Sequence, residues 1–384
     1  MLCLNQNSWG KSMKRAFDVT PKVAYVFGDM TTGGHNLQAY KTIIYSGAVD
    51  NCLVISLSRS VENGLEKKLA EVGISVQYCE INKSNYFIGI KRLRSIVENN
   101  GCSIAHSNGL RSDLACYLAF KNSETIHVIT LHNFLKEDAY LRMNKYKACL
   151  VLMIQKYVLK RSKHIIACSK TLASQMNQYI PGLNISYIQN GVDLDNFGVM
   201  DKNTLRLQYG FLEDELLFIS TGSMTKRKRI PETIEAFLSA KLPNSKLLIV
   251  GDGTYLKEYR ARYSKYDNVE FLGRRNDIKE LLNICDVFVS SSESEGLPLA
   301  VLEAISTGKI VYLSDIPQHK EIVESLNYGN LYHLGNQKEL SSLMNNTVKN
   351  SACGINLANT SFDIKVMGEK YKNYYINLIS NTKK

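Results

Sequence analysis

The sequence predicts an α/β protein made of two parallel-sheet units, on three observations. Short β-branched and aromatic runs alternate with segments of helical period, the pattern of right-handed strand–helix–strand crossovers. That pattern closes near residue 190 and restarts at Leu216. The length of 384 residues suits two domains of ~100–200 residues each.

In chain order, Lys22–Phe27 reads as the first strand. It ends at Gly28 and leads through Thr31-Thr32-Gly33-Gly34 into a helical segment from His35, a strand, glycine loop and helix in succession. The runs Cys52–Leu57, Ile104–Ala105, His127–Leu131, His164–Ala167 and Ser186–Ile188 continue the first unit, and the Pro181-Gly182 and Asn190-Gly191 turns flank the junction. The second unit reads as Leu216–Ser220, Lys246–Val250, Val269–Leu272, Val287–Val289 and Ile310–Leu313. Beyond Ile364, Met367, Tyr371, Tyr374 and Leu378 recur at helical spacing and predict a last amphipathic helix. The expected division is an extension at 1–20, a first domain at 21–185, a second at 186–362 and a terminal helix at 363–384.

Composition removes several classes. With 45% hydrophobic and 22% charged residues, the chain is neither disordered, collagen-like nor a coiled coil. The longest apolar run, Ala148 to Ile154, is far short of the ~20 residues a bilayer core needs. No apolar stretch of signal-peptide length follows Lys11, Lys14 and Arg15, so a cytoplasmic location is expected. The nine cysteines are odd in number and form no C-x-x-C pair. They read as reduced thiols rather than a zinc cage or a disulfide framework.

The net charge of +11 is uneven. Residues 1–200 hold 23 basic and 14 acidic side chains (+9), and residues 201–384 hold 24 and 22 (+2). The stretch 136–170 alone has nine basic residues against Glu137 and Asp138. Such a surplus admits nucleic acid, an anionic membrane surface or a phosphorylated small molecule, besides a plain solvated helix face.

The most informative stretch runs from Ser290 to Val323. A strand enters the loop Glu293-Ser294-Glu295-Gly296-Leu297-Pro298, and a helix follows from Leu299 through Glu303 to a stop at Gly308. Pro298 suits the first helical turn, where its missing N–H costs nothing. The amides of Gly296, Leu297 and Leu299 then add to the positive helix end and make a seat for an anion such as a diphosphate. Glu295 and Glu303 beside it suit sugar or ribose hydroxyls as hydrogen-bond acceptors. In isolation they also read as a dipole-stabilising acid and a solvated one.

Glu295-x7-Glu303 within SESEGLPLAVLEAISTGKIVYLSDIPQHKEIV resembles the E-x7-E signature of the retaining glycosyltransferases of family 4, which have the GT-B fold. The resemblance extends along the chain. Tyr187–Phe197 (YIQNGVDLDNF) looks like that family's interdomain junction, Leu247–Gly253 and Val269–Gly273 match its second-domain strands, and Gly33-Gly34 matches its first loop.

The resemblance implies two Rossmann-like domains with an interdomain cleft, and a C-terminal helix crossing back to the first. It implies transfer from a nucleotide-diphosphate sugar, with Glu303 on the ribose and Glu295 on the donor sugar. Arg227 and Lys228, within Lys226–Arg229, match the pair that neutralises the diphosphate, although Ser223 stands where the family often has arginine. Lys226 or Arg229 is the expected substitute for that missing contact. Gly33 and Gly34 open a helix, so their backbone is expected against the donor, and the resemblance makes His132, with Glu295, a catalytic residue near the reacting carbon. His106 and Asn108 follow another strand and, with the cationic Arg111, are expected on the acceptor side. Base selectivity is expected near Gly273–Arg275 and Asn283. Asp193-Leu194-Asp195 imitates a metal-binding D-x-D but belongs to the junction turn, so no essential metal or other cofactor is expected.

The segments HSNGLRSDL, TLHN and IIACSK further resemble bacterial members that build O-antigen, capsule or exopolysaccharide. They imply a lipid-linked oligosaccharide acceptor, with the enzyme peripheral on the cytoplasmic face of the inner membrane through its basic first domain. The alternatives are a GT-B phosphorylase or sugar-nucleotide epimerase on soluble substrates, and a basic nucleic-acid-binding protein. No RNA-binding aromatic signature or helix-turn-helix accompanies the basic runs, so no nucleic-acid partner is expected.

Overall fold

Val23–Phe27 is buried at every position, which only a strand covered on both faces allows. It is β1, the centre of the first domain. The computed structural model describes residues 21–347 and 355–382, apart from 63, 83, 135, 137, 138, 141 and 142. The expected extension at 1–20 lies outside the described residues.

From β1 the chain continues through α1 (Gly34–Tyr45), β2 (Cys52–Ser56), α2 (Glu66–Glu71), β3 (Val76–Tyr78), α3 (Tyr86–Asn99) and β4 (Ile104–Asn108). Next come α4 (Leu110–Phe120), β5 (Ile126–Leu131), α5 (Lys145–Leu159), β6 (His164–Ala167), α6 (Lys170–Tyr179) and β7 (Ile185–Tyr187). The seven strands are parallel in the order β3-β2-β1-β4-β5-β6-β7.

The second domain holds α7 (Lys202–Tyr209), β8 (Leu216–Thr221), α8 (Ile230–Ala240), β9 (Ser245–Val250), α9 (Leu256–Tyr263), β10 (Val269–Gly273) and α10 (Ile278–Ile284). It ends with β11 (Val287–Ser290), α11 (Leu299–Ser306), β12 (Ile310–Ser314), α12 (Pro317–Leu326), β13 (Asn330–Tyr332) and α13 (Gln337–Asn345). Its sheet is also parallel, ordered β10-β9-β8-β11-β12-β13. Both sheets have the doubly wound order that places ligands beyond the carboxyl ends of the strands.

The last helix, α14 (Ile364–Thr382), returns to the first domain. Met367, Tyr371 and Tyr375 enter the core beneath β1, β4 and β5, beside Tyr25 and Ile104. The crossing is tight: a Cβ on Gly191 would stand 2.3 Å from the Ile364 Cα, and one on Gly368 would stand 2.1 Å from the Tyr45 carbonyl oxygen. A single apolar cluster, including Leu172 and Met176 of the first domain with Leu297, Leu302 and Ile322 of the second, spans the interface.

Four details differ from the expectations. β3 and β13 were not foreseen, because each is three residues long and partly exposed, with too little apolar pattern to register. β4 runs on to Asn108, its polar end buried through side-chain hydrogen bonds. The first sheet includes β7 through Tyr187, so the chain leaves the first domain two residues beyond the expected boundary at 185. Pro298 is the N-cap residue of α11 rather than part of its first turn.

Candidate functional site

The loops after β1, β5 and β6 of the first sheet meet those after β10 and β11 of the second. Three contacts define that meeting. The Arg274 guanidinium donates to the Thr32 hydroxyl at 2.8 Å, and the Ser169 hydroxyl donates to the Gly296 carbonyl at 2.8 Å. A Cβ on Gly296 would lie 1.7 Å from the His132 carbonyl oxygen, so only glycine lets the loop after β11 pass the first domain here.

Glu295 is the electrostatic centre. Its Oε2 accepts from Arg227 at 2.8 Å and its Oε1 from Lys228 at 2.6 Å, with the carboxylate only 8% exposed. Burial alone would push this carboxyl up. Lys228 and then Arg227 outweigh that through charge and hydrogen bonds, holding it well below the usual carboxylate range. The loop after β8 makes this possible. Gly222 has a φ of +143°, and a side chain there would meet the Lys228 stem at 3.2 Å, so the lysine lies across bare backbone to reach Glu295. One anion faces two cations just before the N-terminal end of α11, leaving a net positive seat.

Glu303, in α11, is partly buried, and burial raises its pKa while Lys41 of α1 pulls the other way. Opposite lies the glycine loop. Asn36 ties it by donating to the Thr31 carbonyl at 2.9 Å and the Asp29 carbonyl at 3.1 Å. Gly33 is the N-cap of α1, and a Cβ on Gly34 would meet no atom within 4 Å. No packing in the protein therefore calls for glycine at 34.

His132 Nε2 donates to Asn108 Oδ1 at 3.1 Å. Burial, with His35 and His106 nearby, lowers the pKa of His132 to about 3, so the ring is neutral. Leu297 is buried within the interface cluster.

Several expected residues serve the framework instead. His106 is 1% exposed, with Nδ1 bonded to Tyr375 and Nε2 to Thr130, both at 2.7 Å. It locks α14 onto the sheet and does not face an acceptor. The Arg111 guanidinium donates to the Gly28 carbonyl at 2.9 Å and the Leu57 carbonyl at 3.2 Å, and also to the Ile81 carbonyl, clamping the ends of three strands. Asn283 is 1% exposed, accepts from the Met200 amide and donates to the Gly198 carbonyl, so it is out of reach of a base.

Arg229 pairs with Glu232 at 2.6 Å, and Lys226 is exposed beside Arg227. Asp193 accepts from Tyr45 at 2.9 Å and Asp195 pairs with Lys365, so the D-x-D is part of the junction.

Sequence reading missed Lys41, Ser169 and Glu321, which act across the domain boundary. Nothing local marks such partners, apart from the serine two residues after the β6 run.

Two family models divide the chain. Glycosyltransferase Family 4 matches residues 52–196, and Glycosyl transferases group 1 matches residues 201–360. Fold and family models together define a two-domain glycosyltransferase architecture. The chain belongs to the GT-B glycosyltransferases.

Among its relatives is the UDP-Gal:alpha-D-GlcNAc-diphosphoundecaprenol alpha-1,3-galactosyltransferase of Escherichia coli. The two are 30% identical over 223 residues, 53% of this chain and 57% of that protein. Another is the E. coli O-antigen biosynthesis glycosyltransferase WclY, 25% identical over 287 residues, 72% of this chain and 79% of WclY. The chain spans about half the length of the first curated relatives it matches.

Similar solved structures include Alr3699/HepE of Anabaena in complex with UDP-glucose, with a TM-score of 0.72 at 19% identity over 94% of this chain and 98% of that one. Sucrose-phosphate synthase of Thermosynechococcus elongatus has a TM-score of 0.76 at 16% identity, over 94% and 100%. At these identities the likeness is one of fold.

Proposed function

We propose that this chain is a retaining glycosyltransferase that moves a sugar from a nucleotide-diphosphate donor to a lipid-linked oligosaccharide in bacterial surface-polysaccharide synthesis. The observation that carries the reading is the buried Lys228–Glu295–Arg227 group at the helix end, facing a glycine loop with open room at Gly34.

In this reading the donor diphosphate takes the net positive seat, with Gly296 and Leu297 at the end of α11. Lys228 and Arg227 stabilise the departing diphosphate, where negative charge grows in the transition state. Glu295 accepts from donor sugar hydroxyls, Glu303 from the ribose, and Gly33 and Gly34 allow close backbone approach. Neutral His132 sits beside the reacting carbon and offers its unprotonated ring nitrogen as an acceptor, while Asn108, which orients it, borders the acceptor. The protein's own cations do the work of a metal. No side chain serves as the base; the leaving phosphate takes the acceptor proton on the face it departs from.

Relatives named for diphosphoundecaprenol-linked substrates support the acceptor class. Among the described residues no helix is long and apolar enough to cross a membrane. Peripheral docking is supported by α5, where Tyr146, Leu150, Met153 and Tyr157 form an exposed stripe along one helix face. Exposed Lys145, Lys147, Lys156, Lys160 and Arg161 flank it. An apolar stripe in a basic rim fits an anionic lipid surface, whereas a second copy of the chain would bring like charges together.

The test is transfer from UDP-, GDP- and ADP-sugars to diphosphoundecaprenol-linked saccharides, with the anomeric configuration of the product read by NMR. Product that keeps the donor's configuration, formed only with the lipid-linked acceptor, is expected. Phosphorolysis, epimerisation of the free donor or an inverted product would overturn the reading.

A further inference from the structure

The first turn of α6 is capped from the other domain. Glu321, in α12, is buried, and its Oε1 accepts from the Lys170 backbone N–H at 3.0 Å and from Gln189 Nε2 at 2.7 Å. Its Oε2 accepts from the Thr171 N–H at 2.7 Å. These two amides open α6 and have no partner within the helix. The N-cap Ser169 satisfies the next one, its hydroxyl oxygen accepting from the Leu172 N–H at 3.0 Å.

The same Ser169 hydroxyl donates to the Gly296 carbonyl at 2.8 Å. Gly296 directly follows Glu295 and touches His132. One chain of hydrogen bonds thus runs from a second-domain helix, through a first-domain helix cap, back to the second domain's donor loop. A carboxylate at a helix N-terminus is favoured by the exposed amides and the helix dipole alike. Here that preference acts between domains, so it selects one relative placement of the two.

We propose that Glu321 is a positioning residue that sets the register between the His132 edge of the first domain and the Glu295–Gly296 loop of the second. It touches no substrate; it acts by fixing where Ser169 holds Gly296. The inference rests on the reading of this cleft as the transfer site. Misplacement of reacting groups by ~1 Å costs on the order of 100-fold in rate, and a donor whose diphosphate and ribose are held by the second domain would still bind.

The test uses Glu321→Ala and the milder Ser169→Ala in the full chain. Hydrogen exchange at Lys170 and Thr171 reads the cap without any turnover. Protection in the wild type that is lost in Glu321→Ala and retained in Ser169→Ala is expected. Donor affinity by calorimetry is expected to stay within about threefold in both variants, while kcat falls on the order of 100-fold in Glu321→Ala and at least tenfold in Ser169→Ala.

Unchanged exchange at Lys170 and Thr171, unchanged kcat, or donor affinity falling in step with kcat would each overturn the proposal. If Glu321→Ala fails to fold, the kcat-against-affinity split in Ser169→Ala decides. Were the wild type to transfer no sugar, the glycosyltransferase reading would fail while the exchange result still stood or fell by itself.

Discussion

At the level of single residues, charge pairing was only half readable. The run Lys226–Arg229 announced cations and the loop announced Glu295, but their assembly into one buried group depends on the bare backbone of Gly222. Lys228→Met is expected to lower kcat/KM for the donor ~100- to 1,000-fold. Arg227 still neutralises Glu295, so the melting temperature should stay near that of the wild type. Steady-state kinetics with calorimetry checks this, and a loss below tenfold removes Lys228 from the diphosphate site. Histidine behaviour was not readable, because it follows from burial. His106, His127 and His132 are each pushed down to about 3 by burial. Their folded pKa values lie below the unfolded value near 6.5, so the unfolded chain binds more protons between pH 6.5 and 3. Their contribution is fully present above pH 6.5 and is lost as the pH falls below it. Urea midpoints should drop from pH 6.5 to 5, and the His132 ring resonances should show no titration over that range. A His132 midpoint near 6.5 would refute its neutral role.

Strands and helices with a strong apolar period were legible: eleven strands and the returning helix follow from pattern alone, since a doubly covered parallel strand must be apolar throughout. Two three-residue edge strands were not. The junction shows what pattern cannot carry. Gly191 and Gly368 are there because backbones nearly touch, α14 against the Tyr45 carbonyl of α1. Gly368→Ala should cost ~1–3 kcal/mol by overpacking, visible as a lower denaturation midpoint of the first domain. An unchanged midpoint would mean that the helices part at no cost. His106 belongs to this level as well. Its place after a strand suggested a ligand, but the tyrosines of α14, some 270 residues away in sequence, turned it into a fastening.

For the molecule as a whole, the proposed function gives the charge excess two uses. Arg227 and Lys228 pair with Glu295 beside the seat proposed for the diphosphate, and exposed basic residues flank the apolar stripe of α5. The double substitution Leu150→Glu with Met153→Glu should reduce co-sedimentation with phosphatidylglycerol vesicles at least tenfold and leave circular dichroism unchanged. Equal co-sedimentation would exclude α5 as the docking face. Because surface charges contribute ~1 kcal/mol each near anionic lipid, raised salt should weaken wild-type binding as well. The sequence by itself determined the α/β class, the two-domain plan, the loop carrying Glu295 with Glu303 in the helix after it, and the basic character of the first domain. Each of these is written in local spacing or in composition. Only the tertiary structure decided that Glu295 binds two cations, that His106, Arg111 and Asn283 are framework, and that Glu321 caps a helix of the other domain. Those outcomes depend on contacts between segments far apart in sequence, whose distances no local pattern encodes.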